Sequence, residues 1–124
     1  MKIEHLALAV RDPEVSCAFY LETIGLDASA QEKEWGIQLD FADGFLMALI
    51  RDDPVPADVI DRVHFGCSLP RREDVAATRE RLRGAGVPEV EWCDEPDYVS
   101  VKVADPDGYV VELFYEVDDR PTIR

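Results

Sequence analysis

At 124 residues, with 47% hydrophobic and 32% charged side chains, the chain has the size and composition of one folded domain, not of a disordered segment or a two-domain protein. Its 27 acidic against 13 basic side chains leave a net charge of −14, which repels phosphate backbones and anionic headgroups, so nucleic acid and membrane surfaces are poor partners. No apolar run approaches the ~20 residues that span a bilayer, and the opening Met1-Lys2-Ile3-Glu4-His5 lacks the basic and apolar regions of a leader, so the chain reads as cytoplasmic.

The first element in chain order is a strand over Ile3 to Val10, in which His5, Ala7 and Ala9 share one face and Leu6, Leu8 and Val10 the other. A helix follows. Asp12 suits its cap and Pro13 its first position, Val15, Ala18 and Phe19 form its inner face, and Gly25 stops it. Gly36 to Phe41 alternates as a strand, and the turn pair Asp43-Gly44 leads into an apolar strand ending near Ile50. Pro54 and Pro56 fit a stiff connection over residues 51–61.

The second half runs in the same order. A strand carries His64, Gly66 and Ser68 on one face, with Phe65, Cys67 and Leu69 opposed. After Pro70 comes a helix with Glu73 and Asp74 near its start, Val75 and Leu82 as core anchors, and Gly84 and Gly86 at its end. Its Arg72, Arg79, Arg81 and Arg83 read as a solvated outer face. Tyr98 to Val103 alternates as a strand, and Asp107-Gly108 turns into the last one. The three cysteines, Cys17, Cys67 and Cys93, are an odd number at wide spacing, which fits reduced thiols better than a disulfide framework or a zinc knuckle.

The halves repeat one another. Asp43 to Ile50 lies over Asp107 to Phe114, and Ile3 to Val10 lies over Arg62 to Leu69. The expectation is an α+β fold: a single domain over residues 1–124, made of two tandem βαβββ modules at about 1–60 and 61–124. Both histidines fall on strand faces with small neighbours, where a cavity can open. Glu112 is the one charged residue in the stretch Tyr109 to Tyr115, and a buried carboxylate needs a partner. If a pseudo-twofold axis joins the first strands of the modules, His5, His64 and Glu112 form a two-histidine, one-carboxylate set for a divalent metal (Fe, Mn, Ni, Co or Zn), with positions left for water or substrate.

These pieces resemble the vicinal oxygen chelate superfamily, which includes glyoxalases, extradiol dioxygenases, fosfomycin-resistance thiol transferases, epimerases and bleomycin-resistance proteins. The resemblance spans essentially the whole chain. It is carried by Ile3 to Val10, Phe19-Tyr20, Ile24-Gly25-Leu26, Arg81-Leu82 through Gly86-Val87, and Asp105-Pro106-Asp107-Gly108-Tyr109-Val110-Val111-Glu112. It implies modules that form a curved mixed sheet around a metal-binding cleft, with His5, His64 and Glu112 matching ligand positions. It also implies a homodimer and a small organic substrate that chelates the metal through vicinal oxygens.

Within that superfamily, Ala48 stands where the repeat places a second carboxylate, which argues against standard methylglyoxal isomerisation. Ring cleavage needs a proton-moving side chain besides the ligands, and Tyr98 is the candidate by position, since Tyr109 and Tyr115 have the parity opposite to Glu112. Phosphonate chemistry needs a cationic clamp, but Ala7 and Cys93 stand where such proteins carry a hydroxyl and a lysine, leaving Lys102 and Arg120 as the nearby cations. The expected activity is thus lyase, dioxygenase or thiol-transferase chemistry. The alternative is non-catalytic sequestration of a drug or small molecule in the manner of bleomycin-resistance proteins, with Trp35, Trp92 and Phe45 as its aromatic surface.

Overall fold

The computed structural model describes residues 1–117, and they fall into two compact units. The first comprises Met1–Ile60 with Pro106–Gly108, and the second comprises Asp61–Asp105 with the described residues from Tyr109 onward. The first holds β1 (His5–Val10), α1 (Pro13–Ala18), a wider helical turn over Phe19–Ile24, β2 (Ala28–Lys33), β3 (Gly36–Phe41) and β4 (Leu46–Arg51). The second holds β5 (His64–Ser68), α2 (Arg72–Gly84), β6 (Glu89–Glu95), β7 (Tyr98–Ala104) and β8 (Val110–Glu116). The two βαβββ modules of the α+β fold are therefore present.

Each unit contains one four-stranded mixed sheet, ordered β1-β4-β3-β2 in the first and β5-β8-β7-β6 in the second. The first and last strands of each module pair in parallel and the remaining neighbours are antiparallel. The register repeats as well. His5 pairs with Leu46 and Ala7 with Ala48, while His64 pairs with Val110 and Gly66 with Glu112, so Ala48 and Glu112 occupy the same place in their sheets.

Alternation along the strands sends one row of side chains into each core. In the first unit Leu8, Val10, Leu39, Met47 and Leu49 are buried together with Phe19, Tyr20 and Ile24 of the helical segment. In the second, Val99, Val101, Val103, Val111 and Leu113 are buried along with Val75 and Leu82 of α2. Each large apolar side chain removed from water in this way contributes roughly 1.5–3 kcal/mol before chain entropy is counted. Gly36, with φ of 151°, lets β3 run so close to β4 that a Cβ there would collide with the Leu49 carbonyl oxygen.

α1 starts as its sequence dictates, with the Asp12 carboxylate accepting from the amides of Glu14 at 3.0 Å and Val15 at 3.4 Å. Its inner face differs from the expected one. After Ala18 the helix widens by a residue per turn, and the Gly25 amide donates to the Tyr20 carbonyl at 3.1 Å, five residues back. The buried residues are Pro13, Ser16, Phe19, Tyr20 and Ile24, while Val15 is exposed. Ser16 faces Asp107 at 3.4 Å, and the same carboxylate takes the Arg11 amide at 3.1 Å and its guanidinium at 3.2 Å.

The arginine face of α2 is also less solvated than its sequence suggests. Arg79 pairs with Glu89 at 2.7 Å and lies 4.3 Å above the Trp92 ring, because the guanidinium plane stacks on an indole as readily as it pairs with a carboxylate. Arg72 reaches Asp94 at 2.9 Å and the carbonyls of Glu95 and Pro96 at 2.6 Å. Two arginines thus tie the helix to β6. All three cysteines are free and half-buried. No helix among the described residues is long and apolar enough to cross a membrane.

Candidate functional site

The site forms on the face of the second sheet that points away from α2. β8 lies between β5 and β7, and the register sets Glu112 between Gly66 and Lys102. Its neighbours Val111 and Leu113 face the core, so parity turns Glu112 toward the row that holds His64 on β5 and Tyr98, Ser100 and Lys102 on β7. Glu112 is 8% exposed.

Its carboxylate is divided in use. Oε2 accepts from the Tyr98 hydroxyl and, at 2.5 Å, from the Ser100 hydroxyl. Oε1 faces His64 Nε2 at 3.5 Å. Lys102 extends between Glu112 and Glu91, with its ammonium 3.2 Å from the Glu91 carboxylate. The partner that a buried carboxylate requires is therefore built into β7, and no buried side-chain nitrogen or oxygen among the described residues lacks a hydrogen bond.

These contacts set the charge state. Burial pushes the Glu112 carboxyl up, but the Ser100 and Tyr98 hydroxyls, with Lys102 and the His64 imidazole nearby, more than offset it, and the group titrates below its ordinary value. Tyr98 moves the other way, raised by burial and by its bond to the carboxylate. Glu112 is thus held as an anion and Tyr98 as a neutral donor.

His64 and Glu112 suit a shared cation. Two donors each about 2.1 Å from a metal stand roughly 3.0–3.4 Å apart at octahedral to tetrahedral angles, close to the observed 3.5 Å. The hydroxyls on Oε2 are partners of the kind that orient a ligating carboxylate. No group of described residues brings three His, Cys, Asp or Glu side chains together. His5 stands on β1 of the first unit, exposed, at the position that repeats as His64.

The other residues singled out from sequence have less to offer a ligand. Ala48 is buried beside Gln38, whose amide is engaged by Asp40 at 2.8 Å. Trp92 lies under Arg79, and Phe45 packs edge-on against Phe41 at 5.9 Å, so neither is a free aromatic surface, whereas Trp35 is exposed. Tyr115 pairs with Val99, on the parity opposite Glu112. Cys93 pairs with Ser100 on the site face. Arg120 lies outside the described residues.

Two contributors were not found from sequence. Ser100 is one. Its signal was parity with Tyr98 in a strand whose other row, Val99, Val101 and Val103, is wholly apolar. Phe114 is the other: its ring lies over Gly66, where an added Cβ would come within 3.0 Å of it, and stacks tilted against Tyr98 at 6.3 Å. It is half-buried and forms an apolar wall beside Glu112.

A protein-family comparison matches residues 2–113 to the Glyoxalase/Bleomycin resistance protein/Dioxygenase superfamily, and the chain belongs to that superfamily. Solved structures share its fold. One is a glyoxalase/bleomycin resistance protein/dioxygenase from Alicyclobacillus acidocaldarius, at 22% identity and a TM-score of 0.74 over 96% of this chain and 94% of that one. A lactoylglutathione lyase from Agrobacterium tumefaciens is similar at 19% identity and a TM-score of 0.72, over 92% of each chain. An antibiotic binding protein from a Streptomyces species is similar at 23% identity and a TM-score of 0.69, over 94% of this chain and 96% of that one. No curated protein sequence matches the chain.

Proposed function

We propose that the protein is a divalent-metal-dependent enzyme acting on a small organic substrate that presents two vicinal oxygens, with His5, His64 and Glu112 as the metal ligands and Tyr98 as the proton-handling group. The observation that carries this reading is the divided Glu112 carboxylate, buried and anionic, with one oxygen bonded to two hydroxyls and the other facing His64. A bound divalent ion (Fe, Mn, Ni, Co or Zn) supplies Lewis acidity to the substrate oxygens. His5 and His64 offer neutral imidazole nitrogens, and Glu112 offers Oε1. Tyr98 holds its proton toward Glu112 Oε2, which makes it the side chain placed to give or take a proton beside the substrate. Phe114 gives that side of the site an apolar wall.

Elemental analysis of chelator-free protein tests the ligands. About one metal per chain is expected in the unaltered protein and a loss of most of it in His64→Ala and His5→Ala; equal content in all three sinks the site. A panel of α-ketoaldehydes with thiol, catechols and fosfomycin, run with each metal and with Glu112→Gln as control, then selects among lyase, dioxygenase and thiol-transferase chemistry. Turnover that survives both metal removal and Glu112→Gln overturns the mechanism. We further propose a homodimer, checked by sedimentation.

Sequestration without turnover is the second reading. It is favoured by Ala48, which leaves the first module without a carboxylate base, and by the occurrence of the fold in an antibiotic binding protein. Tight binding of a panel compound with no product marks that outcome.

A further inference from the structure

We propose that Ser100 is a positioning residue for Glu112: together with Tyr98 it holds Oε2, so that the carboxylate meets a cation through Oε1 alone. This rests on Glu112 being a metal ligand. A carboxylate free to rotate about its last carbon–carbon bond can offer a cation either oxygen or both. Each oxygen has about two acceptor positions, and on Oε2 both are taken by hydroxyl donors that arrive from one strand. Oε1 faces the imidazole nitrogen of His64, at 3.5 Å.

The division is enforced by burial and register. Ser100 is 1% exposed and set between Phe114 of β8 and Cys93 of β6. It is a neutral donor with a single side-chain torsion to its oxygen, so it fixes the carboxylate plane without competing for the cation. Tyr98 alone would leave one acceptor position on Oε2 open and the plane free to tilt about a single bond. Ser100 removes that freedom, and its bond to an anion is of the stronger, charge-assisted kind.

The full chain is loaded with Co(II), and affinity is read by competition with a chelating dye beside the Co(II) absorption spectrum. Ser100→Ala is expected to weaken Co(II) binding about 10–100-fold and to change the spectrum, because removing partners of ligating carboxylates has effects of that size. Ser100→Thr, which keeps the hydroxyl, is expected to restore both. Circular dichroism of the metal-free variants establishes that they are folded. On the unaltered chain, infrared difference spectra with and without Co(II), referenced to Glu112→Gln, are expected to show the wide separation of carboxylate stretches that marks binding through one oxygen. A narrow separation overturns the proposal whatever the alanine variant does. If His64→Ala loses Co(II) while Ser100→Ala binds it as the unaltered chain does, the metal site stands and the role of Ser100 falls. If His64→Ala binds Co(II) unchanged, the metal-site reading itself is lost, and the role of Ser100 with it.

Discussion

The two modules share a register but not a chemistry. On the core-facing rows both are apolar: Leu49 and Leu113 sit at equivalent positions, 0% and 2% exposed, each flanked by the parallel first strand of its module. On the other face the copies part. Ala48, Gln38 and Gly36 of the first sheet stand where the second has Glu112, Lys102 and Ser100. Packing tolerates little change in volume and keeps the core rows alike, whereas the open face is constrained only by the polar partners it must satisfy. The buried acid and its hydroxyl partners therefore stand in one half.

The largest effects should fall where the halves agree. Leu49→Ala and Leu113→Ala are each expected to cost about 2–5 kcal/mol in urea unfolding, since both leave a cavity in a closed core. A loss in one and near-neutrality in the other would break the equivalence of the two cores.

Where the halves differ, transplanting the acid sharpens the contrast. Ala48→Glu is expected to cost about 1–3 kcal/mol, because the new carboxylate would be buried without hydroxyl donors and one N–H of the neighbouring Gln38 amide is already given to Asp40. Unchanged stability by thermal or urea unfolding would show that position 48 tolerates a charge. Asp12→Ala is expected to cost about 1 kcal/mol by removing the α1 cap. α2 lacks a side-chain cap at Arg71, so Arg71→Ala should affect it through the surface pairs with Asp74 and Glu73, within about 0.5 kcal/mol.

The smallest expected effect is a slope. The folded-state pKa of Glu112 lies below its unfolded value, so metal-free protein gains stability from this group above the unfolded carboxylate range, near ~4.3, and loses it as pH falls through the lower folded value. Urea titrations through this acid range should be steeper for the unaltered chain than for Glu112→Gln. Parallel profiles would mean that Ser100 and Tyr98 do not favour the anion.

Much of this was legible before any coordinates. The Asp-Gly turns and matched strand starts gave the repeat, and strand parity set each histidine on the face with small neighbours, because a period of two survives twist and curvature, whereas the shared face of His64 and Glu112 follows from the pairing of β5 with β8. Tyr98 stood out by position, with parity setting Tyr109 and Tyr115 opposite Glu112. Val15 was misplaced because a regular 3.6-residue period does not foresee a widened turn after Ala18. The partners of Arg79 and Arg72 were missed because helix periodicity says which face points outward but not that a neighbouring strand, here β6, covers part of it. Ser100 needed the register as well as the parity, since only pairing with β8 brings its hydroxyl to Glu112.

Gly36 makes the difference between the halves hard to undo. It occupies the place of Ser100, yet its positive φ and the nearby Leu49 carbonyl leave no room for any side chain, so the first module cannot acquire a serine there without re-threading two strands. An acid introduced at position 48 would arrive before anything could support it, and every single-step path toward two equal halves begins with a loss of stability. Of the two equivalent positions, 48 and 112, the chain thereby supports a carboxylate at one. If it works as a pair of chains, the number of working sites follows from the number of copies and not from the number of repeats.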